Sequence, residues 1–307
     1  MNDPSASSDS LPRASRRRFL IGLGTSTAAL AGPFALAAAG GTPAAAAATG
    51  PTVSLNLADI QGNALAGFNK DHQAFLGIVF PKVAPGRKWL ASIRTQVATA
   101  AEVSAFNAAF KAVATRTGSE ATTPTATWLN LGLTSLGLRY LSISSTDLSS
   151  FPQDFLGGMA SRATHVGDVG PSAPTAWPVP FRQRVHALVL LAADRATDLE
   201  AAITAQRSAA SKAGVTVAWV QRGATRPDKP GHEHFGFRDG LSQPAVRGFT
   251  TPSDPANPDM GQPGQDMIWP GEFVLGQPTQ AGVGQPPTAA GPPSGGGPGW
   301  TVNGSYL

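Results

Sequence analysis

The fold class is decided by Val185-His186-Ala187-Leu188-Val189-Leu190-Leu191-Ala192, a short apolar run whose length and composition are typical of a buried strand. It is followed by Thr197-Asp198-Leu199-Glu200, a capping-box pattern that predicts the start of a helix, and by Gly214, which predicts its end. The next apolar run is Val215-Thr216-Val217-Ala218-Trp219-Val220. This part of the chain therefore predicts strand, helix and strand.

The same order occurs earlier in the chain. The first predicted strand is His72-Gln73-Ala74-Phe75-Leu76-Gly77-Ile78-Val79-Phe80, which Pro81 ends. A helix is predicted from Glu102 to about Thr115, because large apolar residues recur there at three- and four-residue spacing and Thr99 forms a capping box with Glu102. A further strand, at 126–132, completes the unit.

Two strand-helix-strand units in succession predict an α+β chain with a ferredoxin-like split β-α-β fold, an antiparallel sheet with helices packed on one face. The other face carries apolar side chains too. Because such a face is not left in water, it is expected to meet a second domain, a ligand or a partner.

Composition narrows the class of protein. The chain has 307 residues, 41% of them hydrophobic, which is enough for one large globular domain or two small ones. The formal net charge is only +4, and the body of the chain has no lysine- or arginine-rich block, which argues against nucleic acid as a partner. The absence of cysteine excludes disulfides, thiolate chemistry and metal sites built on sulfur.

The amino terminus is interpreted as an export signal. After a polar lead, Ser15-Arg16-Arg17-Arg18-Phe19-Leu20-Ile21 opens an alanine-rich apolar run that continues to about Ala39, and small residues at 44–48 offer cleavage sites. Residues 1–48 resemble a twin-arginine signal peptide. A membrane anchor is the alternative, but glycines and a proline interrupt the run. Export by the twin-arginine machinery places the protein in the periplasm or outside the cell, and this pathway carries folded proteins, often with a cofactor.

Composition also divides the remaining chain. Residues 49–250 are predicted to form an amino-terminal ferredoxin-like domain, and residues 251–307 a Pro/Gly-rich excursion followed by the beginning of a second half. Within the excursion, the apolar island at 266–276 predicts an ordered loop. The terminal residues 300–307 are typical of a strand that begins without continuing, so we expect the chain to be incomplete at its carboxyl end.

The segment 232–244 carries the chemistry. If its central residues are extended, Phe235, Phe237 and Asp239 share one face, which places a carboxylate at the end of an aromatic row. A carboxyl group on an apolar face resists ionisation, and such groups are common where protons are moved. The flanking glycines Gly236 and Gly240 would let a flat ligand approach the backbone. The alternative is an aspartate that only caps a turn.

Five stretches, in order along the chain, resemble the dye-decolorizing (DyP-type) haem peroxidases. The most characteristic is Gly236-Phe237-Arg238-Asp239-Gly240, which has that family's Gly-x-x-Asp-Gly form. The other four are Asp59-Ile60-Gln61-Gly62-Asn63, Gly157-Gly158-Met159, Pro270-Gly271-Glu272-Phe273 and Asn303-Gly304-Ser305-Tyr306.

The resemblance implies haem b (iron protoporphyrin IX) held between two ferredoxin-like halves, hydrogen peroxide as oxidant, and dyes or phenolic compounds as reductants. It assigns Asp239 as the distal acid-base residue, because a positioned carboxylate can take a proton from one peroxide oxygen and hand it to the other. It also places Gly240, Leu241 and Ser242 against the haem. For those three residues, a simple turn after the catalytic residue is an equal alternative.

The chain departs from the family at the iron ligand. In the family, the proximal histidine and the distal arginine follow the segment that Asn303-Gly304-Ser305-Tyr306 resembles, so both are expected to be absent, and the 307-residue chain is expected to bind haem weakly or not at all. None of the five histidines, His72, His165, His186, His232 and His234, matches the proximal position. His186 lies in an apolar strand and is interpreted as a core residue.

Other functions are compatible with the sequence. His232 and His234, with Asp228 nearby, could chelate a metal, although a site of this kind needs a third ligand and an open position. An exported ferredoxin-like module without catalysis, which only binds a partner, is a further alternative. Release of iron from haem is another, and the chain could form a homo-oligomer.

Overall fold

A computed structural model describes residues 53–117, 124–229, 232–238, 243–263, 265–280 and 296–306. The predicted signal peptide therefore lies outside the described residues, and the predicted domain boundaries stay predictions. Among the described helices, none combines the length and the apolar character needed to cross a membrane.

Four strands form one antiparallel sheet in the order β2-β3-β1-β4. They are β1 (His72–Val79), β2 (Thr127–Leu133), β3 (Ala187–Ala193) and β4 (Thr216–Ala224). This is the strand order of the ferredoxin-like fold, so the predicted fold class is confirmed. The second strand of each unit lies at an edge of the sheet, and the first strand of each lies in the middle.

Helices connect the strands. The first unit contains α2 (Val83–Ile93) and α3 (Ala100–Thr117), and the second contains α9 (Ala196–Ala213). The shorter helices are α1 (Gly62–Leu65), α4 (Ser135–Tyr140), α5 (Ser145–Ser149), α6 (Gln153–Gly157), α7 (Met159–Val166) and α8 (Val179–Arg182). Two short strands, β5 (Ala245–Val246) and β6 (Met267–Ile268), form a separate parallel pair in the carboxyl-terminal part.

The main core lies between one face of the sheet and the helices α2 and α9. Alternate residues of β1 and β3 point into it because successive side chains of a strand face opposite ways. Its fully buried members from the sheet include Leu76, Ile78, Val189 and Leu191, and the helices contribute Trp89, Ile93, Leu199 and Ile203.

The second face of the sheet is partly covered by a helix, which corrects the prediction of helices on one face only. Helix α3 lies against this face through Val103, which packs with Leu190 and Ala192. Its Phe106 meets Trp128 edge-on, with ring centroids 5.6 Å apart. The uncovered part is the carboxyl-terminal end of β4, where residues 221–224 are exposed.

One capping box is confirmed and the other is wrong. At α3, the backbone N–H of Glu102 donates to Thr99 Oγ1 at 3.2 Å, and Glu102 Oε2 accepts from the Thr99 N–H at 2.8 Å. At α9 no side chain caps the helix, which begins at Ala196. The Glu200 carboxylate instead forms a bidentate ion pair with Arg222 of β4. Arg222 Nε donates to Glu200 Oε1 at 2.6 Å, and Arg222 Nη2 donates to Oε2 at 2.7 Å. This long-range partner outcompetes the local bond.

The edge strand β2 is covered by a side chain. Gln61 Nε2 donates to the carbonyl of Leu131, and Gln61 Oε1 accepts from the Leu131 N–H, each at 2.8 Å. One carboxamide thus makes both bonds that a neighbouring strand would make. Next to it, the buried Asn130 accepts from the backbone N–H of Asn63 and donates to the carbonyl of Ala98.

A buried ion pair joins the start of β1 to the end of β3. Lys70 Nζ lies 3.0 Å from Asp194 Oδ2, and the two side chains are only 3% and 1% exposed. The ammonium group also lies 4.0 Å from the ring centroid of Phe106. Asp194 Oδ2 accepts a further bond from the backbone N–H of Ala126 at 2.7 Å. The pair therefore connects three strands and α3.

Candidate functional site

The segment that resembles the peroxidase motif begins as a tight turn. The backbone N–H of Glu233 donates to the carbonyl of Phe237 at 2.8 Å, and that of Gly236 donates to Glu233 at 2.9 Å. A backbone bridge between His232 and Arg238 closes the turn. The chain is thus not extended through Phe235, as the predicted aromatic row required.

Gly236 explains the difference. Its φ is 95°, in the left-handed region that favours glycine, so the alternation of side chains is broken there. Phe235 and Phe237 do not bury themselves on a shared apolar face, because they are 89% and 74% exposed. The predicted row is wrong. Two large exposed rings flank a glycine that has no side chain, and this presents an apolar surface to solvent.

The predicted catalytic and haem-contacting residues, Asp239, Gly240, Leu241 and Ser242, lie outside the described residues. Both flanks are described: Arg238 closes the turn, and β5 begins at Ala245. The roles assigned to Asp239, Gly240, Leu241 and Ser242 stay predictions.

A cleft of about 290 Å³ separates this turn from the open end of the second sheet face. Its floor includes Gln73 and Phe75 of β1 and Gly223 of β4, and Phe235 lies on its rim. A Cβ added at Gly223 would meet no atom within 4 Å, so the space above that residue is open. A volume near 300 Å³ is at the lower end of the range for small-molecule pockets.

The described residues do not support the metal hypothesis. No group of three or more His, Asp or Glu side chains among them is placed to hold an ion. Asp228, the one carboxylate near the two histidines in sequence apart from Glu233, is paired with Arg226 through two bonds of 2.9 Å. Its hydrogen bonds to Arg226 lower the pKa of Asp228 below its ordinary value.

His186 is a core residue, as predicted. It is 5% exposed and immediately precedes β3. Its Nδ1 accepts a hydrogen bond from the backbone N–H of Phe80 at 2.8 Å, and its ring stacks on the Phe80 ring with centroids 5.3 Å apart.

Three of the stretches that carry the resemblance meet in space, far from the turn in sequence. Asn303 Nδ2 donates to Asp59 Oδ2 at 2.9 Å, which joins the first stretch to the last. Leu275 and the pair Asn303–Gly304 exchange two backbone hydrogen bonds, at 2.9 and 3.0 Å. Val274 is fully buried with Ile60. Sequence reasoning named these stretches but missed their contacts, since local patterns do not reveal which distant segments meet, and Asp59 and Asn303 are 244 residues apart.

The predicted ordered island at 266–276 is confirmed. Its strand β6 pairs with β5, and Pro270–Glu272 forms a 3-10 helix. Sequence reasoning missed Arg247, which holds the island in place. Its guanidinium lies 4.6 Å from the Trp269 ring centroid, and it is paired with Asp259. This arrangement fixes the chain soon after Ser242.

Comparison with known proteins identifies the fold. Residues 59–227, just over half of the chain, match the family model of the DyP dimeric alpha+beta barrel domain. The chain belongs to the dye-decolorizing peroxidase family. It is 31% identical over 259 residues to a dye-decolorizing peroxidase of Mycena epipterygia, which covers 83% of this chain and 41% of that protein.

Two further comparisons point to the same family. A dye-decolorizing peroxidase of Mycetinis scorodonius is 33% identical over 234 residues, covering 76% of this chain and 40% of that protein. Among solved structures, a variant of the dye-decolorizing peroxidase from Pleurotus ostreatus is similar with a TM-score of 0.63 at 25% identity, over 82% of this chain and 49% of that one. The chain spans about two fifths of the length of these curated relatives.

Proposed function

We propose that this chain contributes the distal wall of a haem peroxidase that uses hydrogen peroxide to oxidise dyes or phenolic compounds. The observation that carries the proposal is the family match over 59–227, followed at once by the Gly-x-x-Asp-Gly sequence at 236–240. Haem b is the cofactor that this family implies, and it would supply the redox chemistry.

The described residues fit one wall of such a site. Phe235 and Phe237 expose their rings on either side of Gly236, and a flat apolar group could cover both. The cleft beneath Phe235 is too small to enclose a porphyrin by itself, so these residues would form one side of the pocket only. Gly240, Leu241 and Ser242 would complete that side.

Within this site, Asp239 would work as a proton carrier. A carboxylate within hydrogen-bond reach of peroxide can accept the proton of one oxygen and deliver it to the other, which makes the second oxygen a better leaving group. Arg247 would support it from a distance, because its contacts with Trp269 and Asp259 anchor the chain after the motif.

The two exposed rings give the first test. We expect Phe235→Ser and Phe237→Ser each to raise the dissociation constant for haem about 10- to 100-fold, because burying a phenylalanine ring contributes about 1.5–3 kcal/mol. The free energy of unfolding of the haem-free protein should change by less than about 0.5 kcal/mol, because exposed side chains contribute little. Haem titration followed by Soret absorbance, and urea unfolding, measure the two quantities.

Met159→Ser is the matched control, since Met159 is also apolar and 58% exposed but lies on α7. It should leave haem affinity unchanged. Unchanged haem affinity in both phenylalanine variants would contradict the assignment of this wall, and would favour the alternative of a non-catalytic module that binds a partner.

We also propose that the protein is exported through the twin-arginine pathway, which rests on residues 15–48 alone. Replacing both Arg16 and Arg17 by lysine should abolish export, since the machinery reads the arginine pair. Cell fractionation followed by immunoblotting measures the outcome. Replacement of Arg18 by lysine is the control and should leave export intact, and export of the double variant at the wild-type level would exclude this pathway.

A further inference from the structure

His186 lies where three parts of the fold meet. Its backbone N–H donates to the carbonyl of Ile78 in β1 at 2.8 Å, and its own carbonyl accepts from the Thr134 N–H at 3.1 Å, just before α4. Helix α4 packs directly on this point. A Cβ at Gly137 would lie only 1.9 Å from the His186 carbonyl oxygen, so only glycine permits the approach. His186 thus fastens α4 to the sheet.

The imidazole ring has a fixed tautomer. Since Nδ1 accepts the N–H of Phe80, it carries no proton, and the proton of the neutral ring is on Nε2. Among the described residues, Nε2 has no hydrogen-bond partner. The ring of Tyr140 in α4 covers the imidazole, with centroids 4.1 Å apart, and Tyr140 itself is partly exposed. The ring is therefore held by one acceptor contact and by aromatic packing.

Protonation would break this arrangement. A proton on Nδ1 would face the N–H of Phe80, donor against donor, so that bond would be lost. The charge would also lie in a buried place beside Arg184, two residues earlier. Tyr140 lies against the ring, and on α2 the nearest described tie to this layer is Arg87, whose Nη2 donates to the Leu141 carbonyl at 2.7 Å. Two arginines and a phenol provide no counter-charge for an imidazolium.

The layer held by His186 has its own small core. Leu138 of α4 and Leu148 of α5 pack with Phe151, which lies just before α6, and Phe155 of α6 packs against them. This layer in turn holds the segment 296–306. Tyr306 packs on Phe155 with ring centroids 5.4 Å apart, and the Gly297 N–H donates to the carbonyl of Ser150 at 2.9 Å.

We propose that His186 is an acid-sensitive latch: the neutral ring fastens the α4–α6 layer to the sheet, and its protonation releases that layer and loosens its contacts with the segment 296–306. The latch lies at the end of β1 opposite the turn at 232–238, so it works independently of the peroxidase site. The proposal does not rest on the proposed function.

The direction of the pH effect follows from the environment. Burial, and next the charge of Arg184, lower the pKa of His186 from its ordinary value of 6.5. At a pH between the lowered value and 6.5, the released ring binds a proton and the held ring does not. The latch is therefore fully effective above pH 6.5, weakens as the pH falls below it, and weakens no further below the pKa of the held ring.

The test uses His186→Asn, because the asparagine Oδ1 can accept the Phe80 N–H in place of Nδ1 and does not titrate. Hydrogen exchange of residues 135–157 is measured at several pH values from 8 to 5 and corrected for the intrinsic rate. In the wild type, we expect protection of this layer to fall about tenfold for each pH unit between 6.5 and the pKa of the held ring, while the amides of β1 and β3 stay protected. The variant should show no such fall.

His165→Asn is the matched control, since His165 is exposed on α7 and should leave the wild-type response unchanged. An equal loss of protection in wild type and His186→Asn would overturn the proposal. If the asparagine variant does not fold, nitrogen NMR of the wild-type imidazole decides. An Nδ1 titration midpoint below pH 6.5, at the pH where the loss of protection levels off, supports the latch, and protection that continues to fall below that midpoint refutes it.

Discussion

Asp239→Asn is expected to reduce kcat/KM for hydrogen peroxide by about 10²- to 10⁴-fold in the haem-loaded protein, which is the usual contribution of a positioned acid-base group. Asparagine preserves the size of the side chain but cannot accept and return a proton. The reductant should bind as before, so its KM should change little. Stopped-flow mixing with peroxide and steady-state dye oxidation measure the two parameters.

The control for this substitution is Asp228→Asn. Asp228 lies eleven residues earlier on an exposed stretch, where it pairs with Arg226 and takes no part in the proposed chemistry. We expect that variant to keep the wild-type rate with peroxide. If Asp239→Asn also keeps it while haem is bound, the acid-base assignment is wrong, although membership of the family would stand.

Local patterns in this chain predicted the elements well. The strand-helix-strand order and the capping box at Thr99 depend on residues three or four positions apart, and all were confirmed. The second capping box failed because Glu200 has a stronger partner, Arg222, on another strand. The aromatic row failed because Gly236 takes a positive φ that an extended strand does not have.

No local sequence pattern predicted the long-range contacts. Gln61 covers the edge of β2 from 70 residues away, and Asp59 meets Asn303 across 244 residues. The contact between these two stretches is a property of the folded chain, in which the ladder at Leu275 brings the segment 296–306 back to the first stretch. The family resemblance showed that the stretches matter, and only the fold shows that they touch.

The buried ion pair between Lys70 and Asp194 is another long-range contact that local sequence patterns did not predict, since the two residues are 124 positions apart. Asp194→Asn should lower the free energy of unfolding by about 3–5 kcal/mol, because it removes the negative charge 3.0 Å from the Lys70 ammonium at a site that is only 3% exposed. Asparagine can still accept the Ala126 N–H, so the loss reports the charge and not that bond. Urea unfolding at neutral pH measures it.

The double variant Lys70→Met with Asp194→Asn separates a missing counter-charge from a general loss of packing. Methionine fills a similar volume against Phe106 without a charge, so we expect most of the stability to return. The exposed pair Glu200–Arg222 is the matched control, since both side chains are 52% exposed and water screens them. Glu200→Gln should therefore change stability far less than Asp194→Asn. Equal losses at the two sites, or a double variant no more stable than Asp194→Asn, would show that burial of the charge is not the cause.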